Sequence, residues 1–231
     1  MRFRKRMSKG LFLLSKMTKK KLYIIGARGF GREVYETFLQ CFNLRKEVEC
    51  VGFLDDKSDA LDGFENFSPI IGSVEDFKPT EGDVFICALG DPHYREKYSR
   101  MIEEKGGEFI NIIHPSATVS PRTEIGHGCI ISALASISCN CRVGNHVVIQ
   151  GQSIIGHDAS VGDYSTVSSF AFMGGGSQVD KSVTLHPGSI LLPHKRMGAN
   201  SVAGAGAVVI RNVKPDTTVF GNPAVKLNTN I

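Results

Sequence analysis

From Ile113 to Val209 every sixth residue is aliphatic, in seventeen consecutive positions that include Ile131, Ile149, Val167, Leu185 and Ala203. Four residues after each stands a small or β-branched residue, such as Ala117, Cys129, Val147, Ser165 and Ala171, with Lys195 the single exception. Neither the 3.6-residue period of a helix nor the two-residue period of a strand gives a strict six. Hexapeptide repeats of a parallel β-helix do. Each repeat supplies one short strand and one turn, three close a triangular coil, and seventeen give between five and six coils. The large aliphatic fills the prism interior and the small residue fills the space beside it. A single coil cannot bury its own apolar face, so the stack is the folding unit. Gly126, Gly144, Gly156, Gly162 and Gly198 directly follow aliphatic positions, where the chain corners and a Cβ is costly.

Residues 21–111 follow a different pattern. Leu22-Tyr23-Ile24-Ile25 reads as a buried strand, leading into Gly26-Ala27-Arg28-Gly29-Phe30-Gly31 and a helix from Arg32 to about Phe42. Glu49–Leu54 reads as a second strand ending in Asp55-Asp56, and Asp83–Leu89 as a third ending in Gly90-Asp91. Pro92–Lys105 reads as a helix, with Pro at its start and Gly106-Gly107 beyond its end, and Glu108–Ile112 as a last short strand. Strands alternating with helices predict a small parallel α/β sheet. Ligands bind such sheets beyond the carboxyl ends of the strands, here at Gly26–Gly31, Asp55-Asp56 and Gly90. A glycine-rich turn before a helix can hold phosphate. The spacing G-x-x-G-x-G departs from the dinucleotide fingerprint, which leaves a phosphate loop and a plain tight turn both open.

The formal charge of +4 is concentrated in Met1–Lys21, which holds nine Lys or Arg and no acid. Residues 1–20 read as a basic disordered lead, or as an overlong start ahead of Met7 or Met17. Leu11–Leu14 is too short for a signal core or a membrane span, so no membrane insertion is expected. Nothing outside the lead supports nucleic-acid binding. The six cysteines show no disulfide-scaffold spacing and fit small hydrophobes in a reduced cytoplasm. Cys139-x-Cys141 has no second pair to complete a metal site.

Glycine loop, Asp-Asp pair and hexapeptide tail together resemble the NeuD/PglD-type sugar acetyltransferases over about Lys21 to Leu227. The residues that carry the resemblance are Tyr23–Gly31, Phe53-Leu54-Asp55-Asp56, Ala88-Leu89-Gly90, His157-Asp158 and Gly221-Asn222-Pro223-Ala224. It implies a small Rossmann-like parallel α/β domain over 21–111, then a left-handed parallel β-helix with a C-terminal tail over 112–231. Handedness comes from the resemblance alone, since the crossover rule favours a right-handed coil. The first domain would bind a nucleotide-linked sugar. Arg28, Gly29 and Phe30 would cradle its phosphates, Asp55 and Asp56 would meet the nucleoside, and Gly90 would line the pocket floor. Arg28 departs from the family, where a small residue is common. The β-helix would bind acetyl-CoA between subunits of a cytoplasmic homotrimer, with no metal.

Acetyl transfer to an amine needs a base with a pKa near that of histidine. Of His93, His114, His127, His146, His157, His186 and His194, only His157 is followed by a carboxylate, Asp158. A carboxylate there would fix the ring tautomer, and the pair matches the family's dyad. The resemblance also places the oxyanion-stabilising backbone N–H at Gly175, a CoA contact at Thr166, and an amide touching the acceptor sugar at Gln150. Lys195, Arg196, Arg211, Lys214 and Lys226 are candidates to neutralise CoA phosphates. The expected activity is N-acetylation of a nucleotide-linked amino sugar. O-acetylation of a sialic acid or other sugar hydroxyl, a metal hydratase like the γ-carbonic anhydrases using His157, His186 and His194, and a non-catalytic nucleotide-sugar binder are the alternatives.

Overall fold

The computed structural model describes residues 19–227. All of the basic lead except Lys19 and Lys20 lies outside the described residues. Lys20 already opens the first strand. No helix among the described residues is long and apolar enough to cross a membrane.

The first domain comprises β1 (Lys20–Ile25), α1 (Gly29–Gln40), α2 (Leu44–Glu47), β2 (Val48–Leu54), β3 (Ile70–Gly72), β4 (Asp83–Cys87), α3 (Pro92–Glu104) and β5 (Glu108–Phe109). Its five parallel strands lie in the order β3-β2-β1-β4-β5, so the winding reverses at β1. Two elements were not anticipated, the short α2 and the edge strand β3. The strand expected over Glu108–Ile112 is divided. Its first part closes this sheet, and Ile112–Ile113 begins the next domain. β4 is buried along its whole length, because helices cover both faces of a parallel sheet.

From Ile112 to Val209 the chain winds as a left-handed parallel β-helix of seventeen two-residue strands, matching the hexad series. Each strand pairs in parallel with the one eighteen residues on, as Ser136 with Ile154 and Ile137 with Ile155. Three sheets form the prism. Face one carries Ile112–Ile113, Ile130–Ile131, Val148–Ile149 and onward. Face two carries Thr118–Val119 through Val208–Val209, and face three Glu124–Ile125 through Arg196–Met197. The second residue of each strand points inward, and these residues form one continuous core with the small-residue series. An antiparallel pair, Thr218–Phe220 with Val225–Lys226, extends face one around Gly221–Ala224.

The corner glycines act by close approach of the next coil. A Cβ on Gly156 would stand 2.7 Å from Gly175 N, and one on Gly144 would stand 2.8 Å from Asp163 N. A third period went unread in the sequence. Fourteen successive corner positions from 128 to 206, including His146, Asp158, Tyr164 and Phe170, hold φ between 54° and 68°. Only four are glycine, so the coil imposes a left-handed conformation that isolated L-residues resist by about 1–2 kcal/mol.

The first domain sits on face one. Ile112, Ile130 and Val148 join the core made by Leu22, Ile24, Val34, Phe38 and Ile86. Arg95, on α3, is fully buried at the same junction.

Candidate active site

His157 lies on the corner between faces two and three, which is the prism edge opposite the first domain. Its Nδ1 is 2.7 Å from Asp158 Oδ2, and the two side chains are 63% and 56% exposed. The left-handed backbone at Asp158 (φ 58°) turns the carboxylate back onto its neighbour. Asn140, one coil earlier, donates its Nδ2 to Asp158 Oδ1 at 3.2 Å. The hydrogen bond with His157, then that from Asn140, holds the Asp158 carboxyl below its ordinary pKa. Asp158 is therefore an anion that accepts from Nδ1–H and leaves Nε2 as the basic nitrogen facing outward.

Gly175 stacks directly over His157. A Cβ on Gly175 would lie 2.6 Å from His157 Nε2 and 2.7 Å from Cε1. The next residue, Gly176, donates its N–H to His157 O at 2.8 Å, while the Gly175 N–H has no acceptor among the described residues. A histidine, an anionic carboxylate that orients it, and a free backbone donor thus meet on one edge, the kinds of group that acyl transfer calls for.

Lys195 and Arg211 continue the same edge on later coils. Arg196 is engaged with Asp180, through Nε at 3.0 Å and Nη2 at 2.9 Å. Thr166 does not join this edge. It lies on face one, 8% exposed, with Oγ1 accepting from Arg95 at 2.9 Å, so its hydroxyl is occupied by the domain junction.

Across the molecule, a cavity of about 510 Å³ opens at the carboxyl ends of β1, β2 and β4, where the winding reverses. Arg28, Phe30, Asp55, Asp56 and Gly90 line it, as does Tyr94. Arg28 is exposed and no side chain caps the N-terminus of α1, so the helix offers bare N–H groups beside a cation. The other helix at the cavity, α3, is closed by its own cap, Asp91 Oδ1 accepting from His93 N at 2.8 Å. Asp55 has a structural duty. Oδ2 accepts from Ala27 N at 2.8 Å and Oδ1 from Lys57 N at 2.9 Å, which pins the glycine loop to the end of β2. Asp56 accepts from the Tyr98 hydroxyl at 3.2 Å.

The loop glycines divide by purpose. A Cβ on Gly31 would stand 2.0 Å from Gly26 O, so Gly31 serves helix packing. Cβ atoms on Gly29 and Gly90 would meet nothing within 4 Å, so neither is required by the chain's own packing. Gly29 borders a second cavity, of about 630 Å³, between α1 and the edge joining faces one and two, where Gln150 also lies. The Gln150 Oε1 accepts from Ser169 N at 3.2 Å.

Sequence reasoning missed the junction between domains. Arg95 Nη1 donates to Leu89 O at 2.7 Å and Gly90 O at 3.2 Å, Nε to His146 O at 3.0 Å, and Nη2 to Tyr164 O, Ser165 O and Thr166 Oγ1. Burial lowers its pKa to about 10, which keeps it charged at neutral pH. His146 is fully buried and stacks parallel on Tyr164 with centroids 5.1 Å apart. Glu103 accepts from Nε2 of His146 at 2.9 Å and of His127 at 3.0 Å. This trio is the one set among the described residues close enough to hold a metal. His157, His186 and His194 form no such set, and His186 stands at a different corner, between faces one and two rather than between faces two and three. A metal on His146 Nε2 would move the ring proton to Nδ1, which is buried without a partner, so the trio fits hydrogen bonding better.

Comparison with known proteins matches each domain separately. Residues 21–102 match the family model described as the PglD N-terminal domain, and residues 110–209 the model described as the GMPPB C-terminal domain. UDP-N-acetylbacillosamine N-acetyltransferase of Bacillus subtilis is 30% identical over 116 residues, 49% of this chain and 52% of that protein. The uncharacterized protein L142 of Acanthamoeba polyphaga mimivirus is 32% identical over 107 residues, 46% of this chain and 20% of its own. The chain thus spans about half the first of these curated relatives and a fifth of the second. Among solved structures, the acetyltransferase domain of PglB from Neisseria gonorrhoeae is 27% identical with TM-score 0.73, covering 90% of this chain and 100% of that one. Perosamine N-acetyltransferase from Caulobacter crescentus, solved with CoA and GDP-perosamine, is 24% identical with TM-score 0.80, covering 90% and 97%, and shares the fold.

Proposed function

We propose, from a chain whose likeness to the PglD-type sugar acetyltransferases runs through both domains, that it moves acetyl from acetyl-CoA to the amine of a nucleotide-linked amino sugar. The observation that carries this is the His157–Asp158 bond beneath the free Gly175 N–H, on a fold that also holds an open nucleotide-sized pocket. The sugar nitrogen attacks the thioester carbonyl as His157 Nε2 takes its proton. Asp158 holds the ring and steadies the imidazolium. The Gly175 N–H stabilises the oxyanion. As the tetrahedral adduct collapses, the C–S bond breaks and the proton passes to the leaving CoA sulfur. In the pocket, Arg28, Phe30 and the open end of α1 receive the diphosphate, whereas Gly29 borders the second cavity instead. Asp56 faces the nucleoside, Asp55 holds the loop, and Gly90 leaves room on the floor. The name of the Bacillus relative, an N-acetyltransferase, favours an amine acceptor, and the Neisseria domain, solved also with acetyl coenzyme A, favours this donor.

The reading includes a homotrimer. His157 and the pocket lie on opposite sides of one prism, so a single chain does not bring them together. Face two, which borders His157, presents an apolar outer stripe with Ile154 47% and Phe172 36% exposed, and its far edge adds Leu134 and Phe170. The corresponding row on face three is Glu124, Arg142, Ser160, Gln178 and Arg196. Packing face two against a neighbour's far edge, three times around, closes a ring and brings His157 of one copy to the Gln150 edge and first domain of the next. Six free thiols fit a reducing, cytoplasmic setting.

The test is turnover of acetyl-CoA against UDP-, GDP- and dTDP-linked amino sugars, with products read by mass spectrometry. His157→Ala is expected to lower acetylation at least about a hundredfold. Near-normal turnover in that variant refutes the role, and acetyl found on oxygen refutes the amine acceptor.

A further inference from the structure

The groups that bind nucleotide in this reading belong to the first domain, and the reacting edge belongs to the prism. What fixes one relative to the other decides where the sugar amine arrives. Four side chains of α3 reach the prism: Arg95, Glu96, whose Oε1 accepts from Lys181 Nζ at 2.7 Å, Arg100 at the Tyr164 side chain, and Glu103. Glu96, Arg100 and Glu103 make partly exposed ion pairs and hydrogen bonds, worth little in positional terms.

Arg95 differs in kind. It is 0% exposed and has no carboxylate partner, and its guanidinium is surrounded by six uncharged oxygens. Burying a cation without a counter-ion is costly, and here only the six oxygens that accept from it offset that cost. Its geometry explains its use. The planar fork has fixed donor directions that lysine lacks. One arm holds Leu89 O and Gly90 O, at the floor of the pocket, and the other arm and Nε hold three successive residues of one prism corner and His146 of the coil before.

We propose that Arg95 is a positioning residue that sets the nucleotide-sugar pocket in register with the prism, and through it with the acyl-transfer edge of the neighbouring copy. This rests on the function proposed above. The phosphate end of the pocket does not depend on Arg95, because Asp55 pins the glycine loop through Ala27 N, so nucleotide still binds. The amine then arrives displaced, and a displacement of about 1 Å can cost about a hundredfold in rate.

The experiment compares the full chain with Arg95→Lys and Arg95→Met. In either folded variant kcat is expected to fall at least about tenfold, while KM for acetyl-CoA and the calorimetric Kd for the nucleotide sugar stay within about threefold. Backbone hydrogen exchange gives a second readout. The amides of His146 and Tyr164, bonded across coils to His127 O and Asn145 O, exchange at least about tenfold faster, while Gly174, bonded to Leu191 O on the far edge, keeps its protection. Unchanged kcat, or loss of fold in both variants, overturns the proposal. A wild-type protein inactive on every sugar in the panel refutes the functional reading instead. The exchange pattern then decides the Arg95 proposal alone, and unchanged protection at His146 and Tyr164 overturns it.

Discussion

Adding one methyl group at Gly175 tests the acyl-transfer edge more sharply than removing the base. The Cβ of Gly175→Ala would lie 2.6 Å from His157 Nε2, 2.7 Å from Cε1 and 3.1 Å from Cδ2. Carbon contacts are comfortable at about 3.5–4.0 Å, so about 1 Å of movement is required. The movable partner is the ring, the far end of a side chain 63% exposed, and not the backbone. Gly175 itself lies outside the left-handed region, so alanine brings no backbone strain and restricts the unfolded chain, worth about 0.4–1 kcal/mol in favour of the fold. Activity and stability should therefore separate. kcat falls about a hundredfold, while Tm holds or rises by about 1–4 °C. Thiol-reagent detection of released CoA gives the first quantity and calorimetry the second. Turnover within about threefold of wild type refutes the stacking argument. A Tm loss above about 5 °C shows that the backbone gave way instead of the ring.

Three further outcomes follow from other parts of the molecule. Burial holds His146 below the ordinary histidine pKa against the pull of Glu103. The unfolded chain therefore takes up a proton near pH 6.5 that the folded chain refuses. Stability is full above about pH 6.5 and declines below it. His146→Gln should flatten that decline in calorimetric Tm, and an identical slope in the variant counts against it. Gly90→Ala meets no atom of the chain within 4 Å, so it should leave Tm unchanged and raise KM for the nucleotide sugar about tenfold or more. An unaltered KM removes Gly90 from the pocket floor. Phe172→Glu puts a charge on the apolar stripe of face two and should shift light-scattering mass from trimer to monomer with loss of turnover. A monomeric wild type, or a trimeric variant, rejects face two as the interface.

The hexad series made the prism legible to the residue, because each core slot repeats one physical demand, a large aliphatic inside a coil of fixed circumference. His157 and Asp158 were legible as neighbours in sequence, since their contact is local. The left-handed corner column was not, because Leu134, Asn140, Tyr164 and Phe170 share a backbone angle and no side-chain chemistry. Nothing in the sequence singles out Arg95 on its helix or His146 among the seven histidines. Their burial is created only when the first domain docks on face one, through contacts such as Glu103–His146, 43 residues apart, and Arg95–His146, 51 apart, that no local period records. Thr166 was placed by family position alone, and the same docking claims its hydroxyl.

The eighteen-residue pairing interval has a consequence for how the chain acquires its shape during synthesis. Every coil finds its strand partners in the coil just made, so none must wait for a distant segment. The first sheet is complete at Phe109, and Leu22, Ile24 and Phe38 already present the surface that Ile112, Ile130 and Val148 will cover. The first domain can therefore act as a starter block, from which the prism grows in one direction as the ribosome delivers it.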